Sequence, residues 1–415
     1  MITWGLAHGL KDWRILKITH GTAEGWHPPS TFAILRFAIA VSLTTERKMN
    51  CRFDDILKKA EQAEEISRAE IAFLLSIDEE AQLDRLFQTA RRLRRHYFGD
   101  EVFLYGFLYL STYCRNDCRF CYYRRSNSMS LRYRRRRAEI RAAAVEMADS
   151  GVHLIDLTMG EDPVAFSDGA DRHQWLLELI SELRQACRLP IMVSPGVVPD
   201  ALFGDLVQAG ASWYACYQET FNQRLFRRLR PQQSFADRLL KKQRALCSGL
   251  LIEEGLLCGV GESPFDLAHA IIEMGRSGAS QMRAMTFVPR PGTPMADRPE
   301  PDSRLELVLI AAMRLAYPGA LIPASLDVEG LAGLASRLNA GANVVTSIVP
   351  PGMGLAGVAH PALDIESARR TTDTIDAVLS DCRLQAASAE QYRTWLESER
   401  QKRLSVLAGR SRSCA

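Results

Sequence analysis

The chain has 415 residues, of which 47% are hydrophobic and 24% charged. This is an ordinary globular composition, long enough for one large domain or two smaller ones. The formal net charge of +3 is too mild for a nucleic-acid binder, which concentrates a stronger basic excess on one element.

Residues 1–48 show little periodicity. Their apolar stretch from Phe32 to Leu43 carries Arg36 and falls short of the roughly 20 apolar residues of a membrane span. No secretory pattern opens the chain. The expectation is therefore a cytoplasmic protein with no membrane or nucleic-acid partner. Met49 is expected to be the natural start and residues 1–48 an upstream over-extension. Residues 49–100 read as an N-terminal helical extension, its helices expected to cover one mouth of the barrel that follows. FDDILKKAEQAEE, SRAEIAFLLS and EEAQLDRLFQTARRLRRHYFG carry apolar residues at helical spacing behind acidic first turns.

After Gly99 the pattern changes to an apolar run, a loop and an amphipathic stretch, repeating about every 35 residues. Strands are expected at 103–110, 152–158, 190–194, 212–218, 255–260, 282–287, 321–327 and 343–348. Helices are expected near 138–149, 172–187, 199–209, 234–248, 264–277, 303–316, 330–339 and 365–381. Alternating strands and helices in that number imply an α/β fold, a (β/α)8 TIM-type barrel over 101–385. An open doubly wound sheet is the runner-up. Residues 386–415 form a C-terminal tail, basic and frayed from about 400. The basic run Arg132–Arg137 (RYRRRR) reads as a solvated surface and helix entry, with RNA contact as the alternative.

The decisive segment is LSTYCRNDCRFCYYRRSN, residues 110–127. Cys114, Cys118 and Cys121 form C-x3-C-x2-C directly after the first strand, while the other seven cysteines lie scattered. In a reducing compartment clustered cysteines mean metal rather than disulfides. Three close thiolates hold three irons of a [4Fe–4S] cubane and leave the fourth open to chelate S-adenosylmethionine (SAM). A structural zinc site prefers four ligands, often as two C-x2-C pairs, and no second pair exists here. A zinc-stabilised RNA-binding module is the non-enzyme alternative. With Phe120 before the last cysteine, the segment resembles the radical SAM superfamily signature. Met159-Gly160-Glu161 after the second strand resembles that superfamily's motif for the SAM amino group. Tyr122, Ser194, Glu219 and Arg238 are the other candidate SAM contacts, with Arg238 opposite the SAM carboxylate.

A closer resemblance lies in DLTMGEDP (156–163), YQET (217–220), MTFVPRPGTP (285–294) and LIPASLDVEGLAGLASRLNAGANVVTSIVPP (321–351). These stretches are similar to the methylornithine synthase family, over about residues 49–399. The resemblance implies isomerisation of L-lysine to (3R)-3-methyl-D-ornithine, the opening step of pyrrolysine biosynthesis. An adenosyl radical takes hydrogen from the lysine side chain. The substrate radical then fragments and recombines, and SAM is regenerated. A low-potential donor, flavodoxin or ferredoxin, is implied as well. An independent physical check agrees with this. Lysine brings one carboxylate and two ammonium groups, and a closed pocket must pair all three. Arg283 offers the cation and Asp156 and Asp327 the anions. Ser325 lies two residues before Asp327, on the same side of a strand. Biotin synthase, the rival within the class, needs cysteines for a second cluster, and Cys187, Cys216, Cys247 and Cys258 do not form that pattern. A hydrogenase-maturase-like function is the other rival. It is separated by the charge-matched set Asp156, Arg283, Ser325 and Asp327.

Overall fold

The first barrel strand, β1 (Glu101–Ser111), buries every residue after Glu101, because it has parallel neighbours on both edges and helices outside. A computed structural model describes residues 51–165, 173–349 and 370–413. The extension 1–48 and the expectation for Met49 lie outside the described residues, as do 365–369 of the last expected helix.

Three helices precede β1: α1 (51–61), α2 (Arg68–Leu74) and α3 (Glu80–Phe98). Ser67 and Glu70 start α2 as a capping box. The barrel alternates β1, α4 (Arg137–Asp149), β2 (Leu154–Met159), α5 (Gln174–Cys187), β3 (Ile191–Ser194), α6 (Leu202–Ala209) and β4 (Ala211–Ala215). It continues with α7 (Gln223–Leu229), α8 (Phe235–Cys247), β5 (Leu251–Cys258), α9 (Pro264–Arg276), β6 (Gln281–Thr286) and α10 (Arg304–Ala316). β7 (Pro323–Ser325), α11 (Leu334–Asn339), β8 (Val344–Ile348) and α12 (Thr372–Asp381) complete it. The strands are parallel in the order β6-β5-β4-β3-β2-β1-β8-β7. A single bridge, Gln281 with Leu321, joins β6 to the entry of β7 and closes the ring. The expected TIM-type barrel is therefore the observed fold.

Four departures from the sequence reading have physical causes. β5 starts at Leu251 rather than 255, because Glu253 and Glu254 are both fully buried in it. Alternation sends Glu253 to Arg283 inside the barrel and Glu254 to Lys242 on α8 outside. Each buried charge has a partner, so charged residues continue a strand that composition alone ends. Next, α7 was not expected. It is short, but the Asn222 side chain caps it by accepting from Arg224 and Leu225 amides.

The other two concern the barrel's ends. The helices at 53–98 look like covers for a mouth, yet α2 packs on α9 and α10 and α3 on α10 and α11, along the flank. The mouth at the strands' N-terminal ends is filled instead by the C-terminal segment. After a two-residue strand β9 (Gln385–Ala386) beside β1, α13 (Ala389–Ser413) runs across that end. Tyr392 and Leu396 pack among Phe103, Tyr105, Trp213 and Leu251. The Tyr392 and Tyr105 hydroxyls lie 2.8 Å apart, and Trp395 stacks on Trp213 with centroids 5.9 Å apart. Beyond 400, where fraying is expected, the chain stays helical to Ser413, and buried Glu399 holds Arg403 and Ser280. Among the described residues no helix is long and apolar enough to cross a membrane.

Tyr392 is 1% exposed and is the centre of this plug. Tyr392→Ala is expected to lower unfolding free energy by about 3–5 kcal/mol, as large-to-small changes at well-packed aromatic sites do. Chemical denaturation checks this, and a loss below about 1 kcal/mol, the range of ordinary surface changes, contradicts the plug.

Candidate active site

At the opposite mouth, the C-terminal ends of the strands surround a cavity of about 240 Å³. Cys114, Cys118, Cys121, Asp156, Glu161, Ser194, Glu219, Arg238, Arg283 and Asp327 all line it. Two residues singled out from the sequence do not. Tyr122 is buried with its hydroxyl donating to Met129 O at 2.6 Å, and Phe120 and Tyr123 line the wall in its place. Ser325 is 1% exposed and turns to Asp327 Oδ2 at 3.4 Å.

The cysteine loop, residues 112–136, is held by side-chain donors. Arg132 donates to the carbonyls of Thr112, Tyr123 (2.9 Å), Arg124 (2.6 Å) and Asn127 (3.2 Å). Arg134 pairs with Asp162 at 2.7 Å, and Arg137 with Glu182 at 2.5 Å. Arg136 is the N-cap of α4. The run 132–137 is thus a helix entry, as read. Arg134, Arg136 and Arg137 are exposed, as the solvated-surface reading has it, whereas Arg132 folds inward as the loop's clamp. Gly160 lets the end of β2 lie against this loop, since a Cβ there runs into Tyr113 O and Cys114 Cβ.

All three cysteines are free thiols. Burial pushes Cys114 up to about 11, and burial together with Cys118 and Cys114 pushes Cys121 upward too. Cys114 and Cys121 thus resist ionising and need a cation to hold them as thiolates. The surrounding donors suit that state, because Cys118 Sγ accepts from Gln233 Nε2 at 3.0 Å and Arg230 Nη1 at 3.3 Å. N–H donors to a ligating sulfur are the protein's means of tuning an iron–sulfur centre. The described residues contain no three His, Cys, Asp or Glu side chains converging on one ion. Ligands of a cubane need not converge, since each serves its own iron. The donor set fits an iron–sulfur group.

Around the cysteines lie two buried acid–base pairs. Glu161 meets Arg238 at 3.1 Å, Arg115 at 3.0 Å and the Val197 amide at 3.0 Å. Burial raises its pKa, but these partners outweigh it and hold the carboxyl below its ordinary value. Glu219 meets Arg230 at 2.6 Å, and here burial prevails and its pKa rises. Its second oxygen is buried without a partner, and its backbone sits at φ 65, a region non-glycine residues rarely adopt. Arg238 is not left open for a carboxylate as read from the sequence. Its fork is taken by Glu161 and Tyr217 O, so its clearest task is to hold Glu161.

Deeper in the barrel is a second polar group. Ser194 donates to Asp156 at 2.7 Å, so these two strand ends act together. Burial, and then the Glu253 anion, push Asp156 up to about 7. Arg283 Nε donates to Glu253 at 2.7 Å and Nη1 to Thr346 at 2.8 Å, while its Nη2 is buried without a partner. Asp327 accepts from Ser347 at 2.8 Å and from Arg370 and Tyr109 at 3.3 and 3.4 Å. Like Glu219, Ser347 has a positive φ, 68. Sequence reasoning missed Glu253, Arg370, Ser347, Arg230 and Gln233. The signal for Glu253 was present: a pair of acids in an apolar run needs interior cations.

Comparison with known proteins places this geometry. Residues 108–245 match the family model of the radical SAM superfamily. The 3-methylornithine synthase of Methanosarcina acetivorans is 40% identical over 332 residues, 80% of this chain and 93% of that protein. The chain belongs to the 3-methylornithine synthase family. A crystal structure of methylornithine synthase, 37% identical, superposes with a TM-score of 0.78 over 82% of this chain and 99% of that one. More distantly, the [FeFe] hydrogenase maturase subunit HydE of Thermotoga maritima is 30% identical over 70% of this chain and 82% of its own length. Membership of a radical SAM family implies SAM and an iron–sulfur cluster, in agreement with the cysteine loop.

The Arg132 clamp has a measurable consequence. Arg132→Met is expected to speed chelator-driven loss of bound iron about tenfold, within the range for residues that orient metal ligands. Iron release followed by absorbance tests this, and an unchanged rate removes Arg132 from the role.

Proposed function

We propose that the chain isomerises L-lysine to (3R)-3-methyl-D-ornithine, the first step of pyrrolysine biosynthesis. The observation that carries this is the charge inventory of the barrel interior. Three buried groups meet at the cavity: Asp156 with Ser194, Glu253 with Arg283, and Asp327 with Arg370 and Ser347, with Arg290 on the same lining. Glu253 is engaged by Arg283, so Asp156 and Asp327 remain as acceptors for two ammonium groups and Arg283 as a donor for one carboxylate, the groups that lysine carries. The unpartnered Nη2 of Arg283 supplies a donor for the substrate carboxylate, and Asp156 and Asp327 supply acceptors for its ammonium groups.

On this reading Cys114, Cys118 and Cys121 hold a [4Fe–4S] cluster. When bound, it supplies the electron that cleaves SAM to methionine and a 5′-deoxyadenosyl radical, which takes hydrogen from the lysine side chain. Glu161, fixed by Arg238 and Arg115, accepts from the SAM ammonium. Glu219, whose free oxygen faces the same cavity wall, offers a second acceptor. Tyr122 contributes from behind by bracing the loop through Met129. Ser194 holds Asp156, and Ser325 and Ser347 hold Asp327, so each acid keeps its direction while the substrate rearranges. The apolar lining keeps water and stray hydrogen donors off the reacting carbons. The electron comes from a low-potential flavodoxin or ferredoxin. The free thiols suit the cytoplasm.

Anaerobic incubation with SAM, reductant and L-lysine is expected to yield an isomer of unchanged mass and new retention. Lysine persisting while SAM is cleaved contradicts the reading. The reconstituted protein should hold about four irons per chain, as one cubane requires. Clearly more favours a two-cluster, biotin synthase-like enzyme. Asp327→Asn should lower kcat/KM by about a hundredfold or more, since it leaves Arg370 and the substrate ammonium without their anion, yet keep the iron content. Normal turnover removes Asp327 from the site. Because Asp156 ionises near 7 rather than in the ordinary carboxylate range, its anion forms only as pH rises through that value. Lysine KM is therefore expected to fall between about pH 6 and pH 8, and Asp156→Asn to flatten that slope; a flat wild-type profile contradicts it.

A further inference from the structure

The arginines around the cysteine loop fall into two sets. Arg132, Arg134, Arg136 and Arg137 are committed to carbonyls or to Asp162, Glu139, Glu178 and Glu182. A second set has no acidic partner among the described residues. Arg119 directly follows Cys118 and is exposed. Its amide donates to Leu229 O at 2.8 Å, which brings the loop against the last turn of α7. That helix buries Leu225, Phe226 and Leu229 and turns Arg224, Arg227 and Arg228 outward. Arg228 Nη2 and Arg298 Nη1 converge on a single carbonyl, Val260 O, at 3.4 and 3.0 Å. Glu262, on the same turn, is spent on the Gly259 and Val260 amides at 2.5 and 2.9 Å.

Five arginines beside the one carboxylate of Glu262 leave the rim net positive, and like charges in excess repel one another and raise the local potential. Such a rim is stabilised by an anionic surface brought to it. Its place is informative, because Cys118 is 5% exposed while the next residue reaches solvent. From this side a visitor comes within one residue of a cluster ligand. We infer that the rim formed by Arg119, Arg224, Arg227, Arg228 and Arg298 is the docking surface for an acidic one-electron carrier protein. The inference rests on reading the three cysteines as cluster ligands and deepens the proposed function by locating where its electron enters. In the step itself one electron leaves the carrier's reduced flavin or iron–sulfur group and enters the cluster; no bond forms or breaks. A single-stranded RNA is the less suitable occupant, because the outer face of α7 presents Gln223 and arginines with no aromatic ring for a base to stack on.

The test is stopped-flow bleaching of the cluster's visible absorbance, driven by photoreduced flavodoxin or ferredoxin, or by dithionite as a small reductant. Wild type is expected to be reduced by at least one of the two carriers at low salt, with a rate that falls steeply as salt is added. The double variant Arg227→Glu/Arg228→Glu should lose at least about tenfold in that rate, the lower end of electrostatic steering effects. Its dithionite reduction, iron content and dithionite-supported SAM cleavage should match wild type. Arg393→Glu, on the C-terminal helix at the far mouth, should change none of these. The inference is overturned if neither carrier reduces wild type, if the double variant keeps the wild-type carrier rate at low salt, or if it loses only salt-sensitive binding of a single-stranded RNA. Wild type that binds no iron, or cleaves no SAM with dithionite, instead overturns the cluster reading on which the inference stands.

Discussion

A charge inside a dry barrel must meet its opposite, and that constraint shapes the interior of this enzyme from strand to strand. Arg283 stands on β6 because Glu253 stands beside it on β5, and their pairing is fully buried. Asp327 depends in the same way on Arg370, whereas Asp156 is held by the neutral Ser194 hydroxyl and burial raises its pKa. Breaking such a pair leaves a bare buried charge, which costs far more than the pair itself contributes. The same rule makes a binding site. Acceptors and donors that the protein does not satisfy internally, such as Arg283 Nη2, are places where a charged substrate completes the network. On the proposed reading, the acceptors left on Asp156 and Asp327 would favour a dibasic amino acid.

The two barrel mouths are treated differently. At one, apolar contact dominates: Tyr392, Trp395 and Leu396 fill the space between strand starts, and the backbone of β9 extends the sheet by two residues. This rigid floor lets Glu253 and Gln281 sit at 0% exposure beneath the cavity. At the other mouth the chain is held by polar contacts to loops. Arg132 gathers carbonyls of the cysteine loop, and Arg230 and Gln233 reach Cys118 from the segment after α7. Gln233 Oε1 also accepts from Arg230 and Arg238. Cys118 and the Glu161 pair therefore belong to one hydrogen-bonded unit, which on the proposed roles would hold the electron source and the SAM site in fixed relation.

Much of this was legible in the sequence, for identifiable reasons. Strand and helix alternation shows in apolar periodicity, and C-x3-C-x2-C after the first strand is a local pattern that needs no tertiary information. Asp156, Arg283 and Asp327 were reachable because lysine's charges demand opposites at strand ends. Their partners were not. Glu253 looks like a strand breaker until Arg283 and Gln281 are seen beside it, and Arg370 lies far along the chain from Asp327. Ser325 was placed in the cavity by its strand spacing to Asp327, and Tyr122 by its place beside the last cysteine, whereas each side chain turns away to support a neighbour. The plug at 389–413 escaped notice because its buried apolar residues are few. Its aromatic contacts come from strands near 103, 213 and 251, which sequence spacing does not bring together.

The central claim is that the buried anions recognise lysine through both of its ammonium groups. Equilibrium binding of L-lysine and L-norleucine to the cluster-loaded, SAM-bound protein isolates it, since norleucine keeps the four side-chain carbons and the amino-acid head but carries hydrogen in place of the terminal ammonium. Losing one charged partner of a buried acid corresponds to about 3 kcal/mol, so lysine is expected to bind about a hundredfold tighter. Equal affinity for the two amino acids contradicts the account.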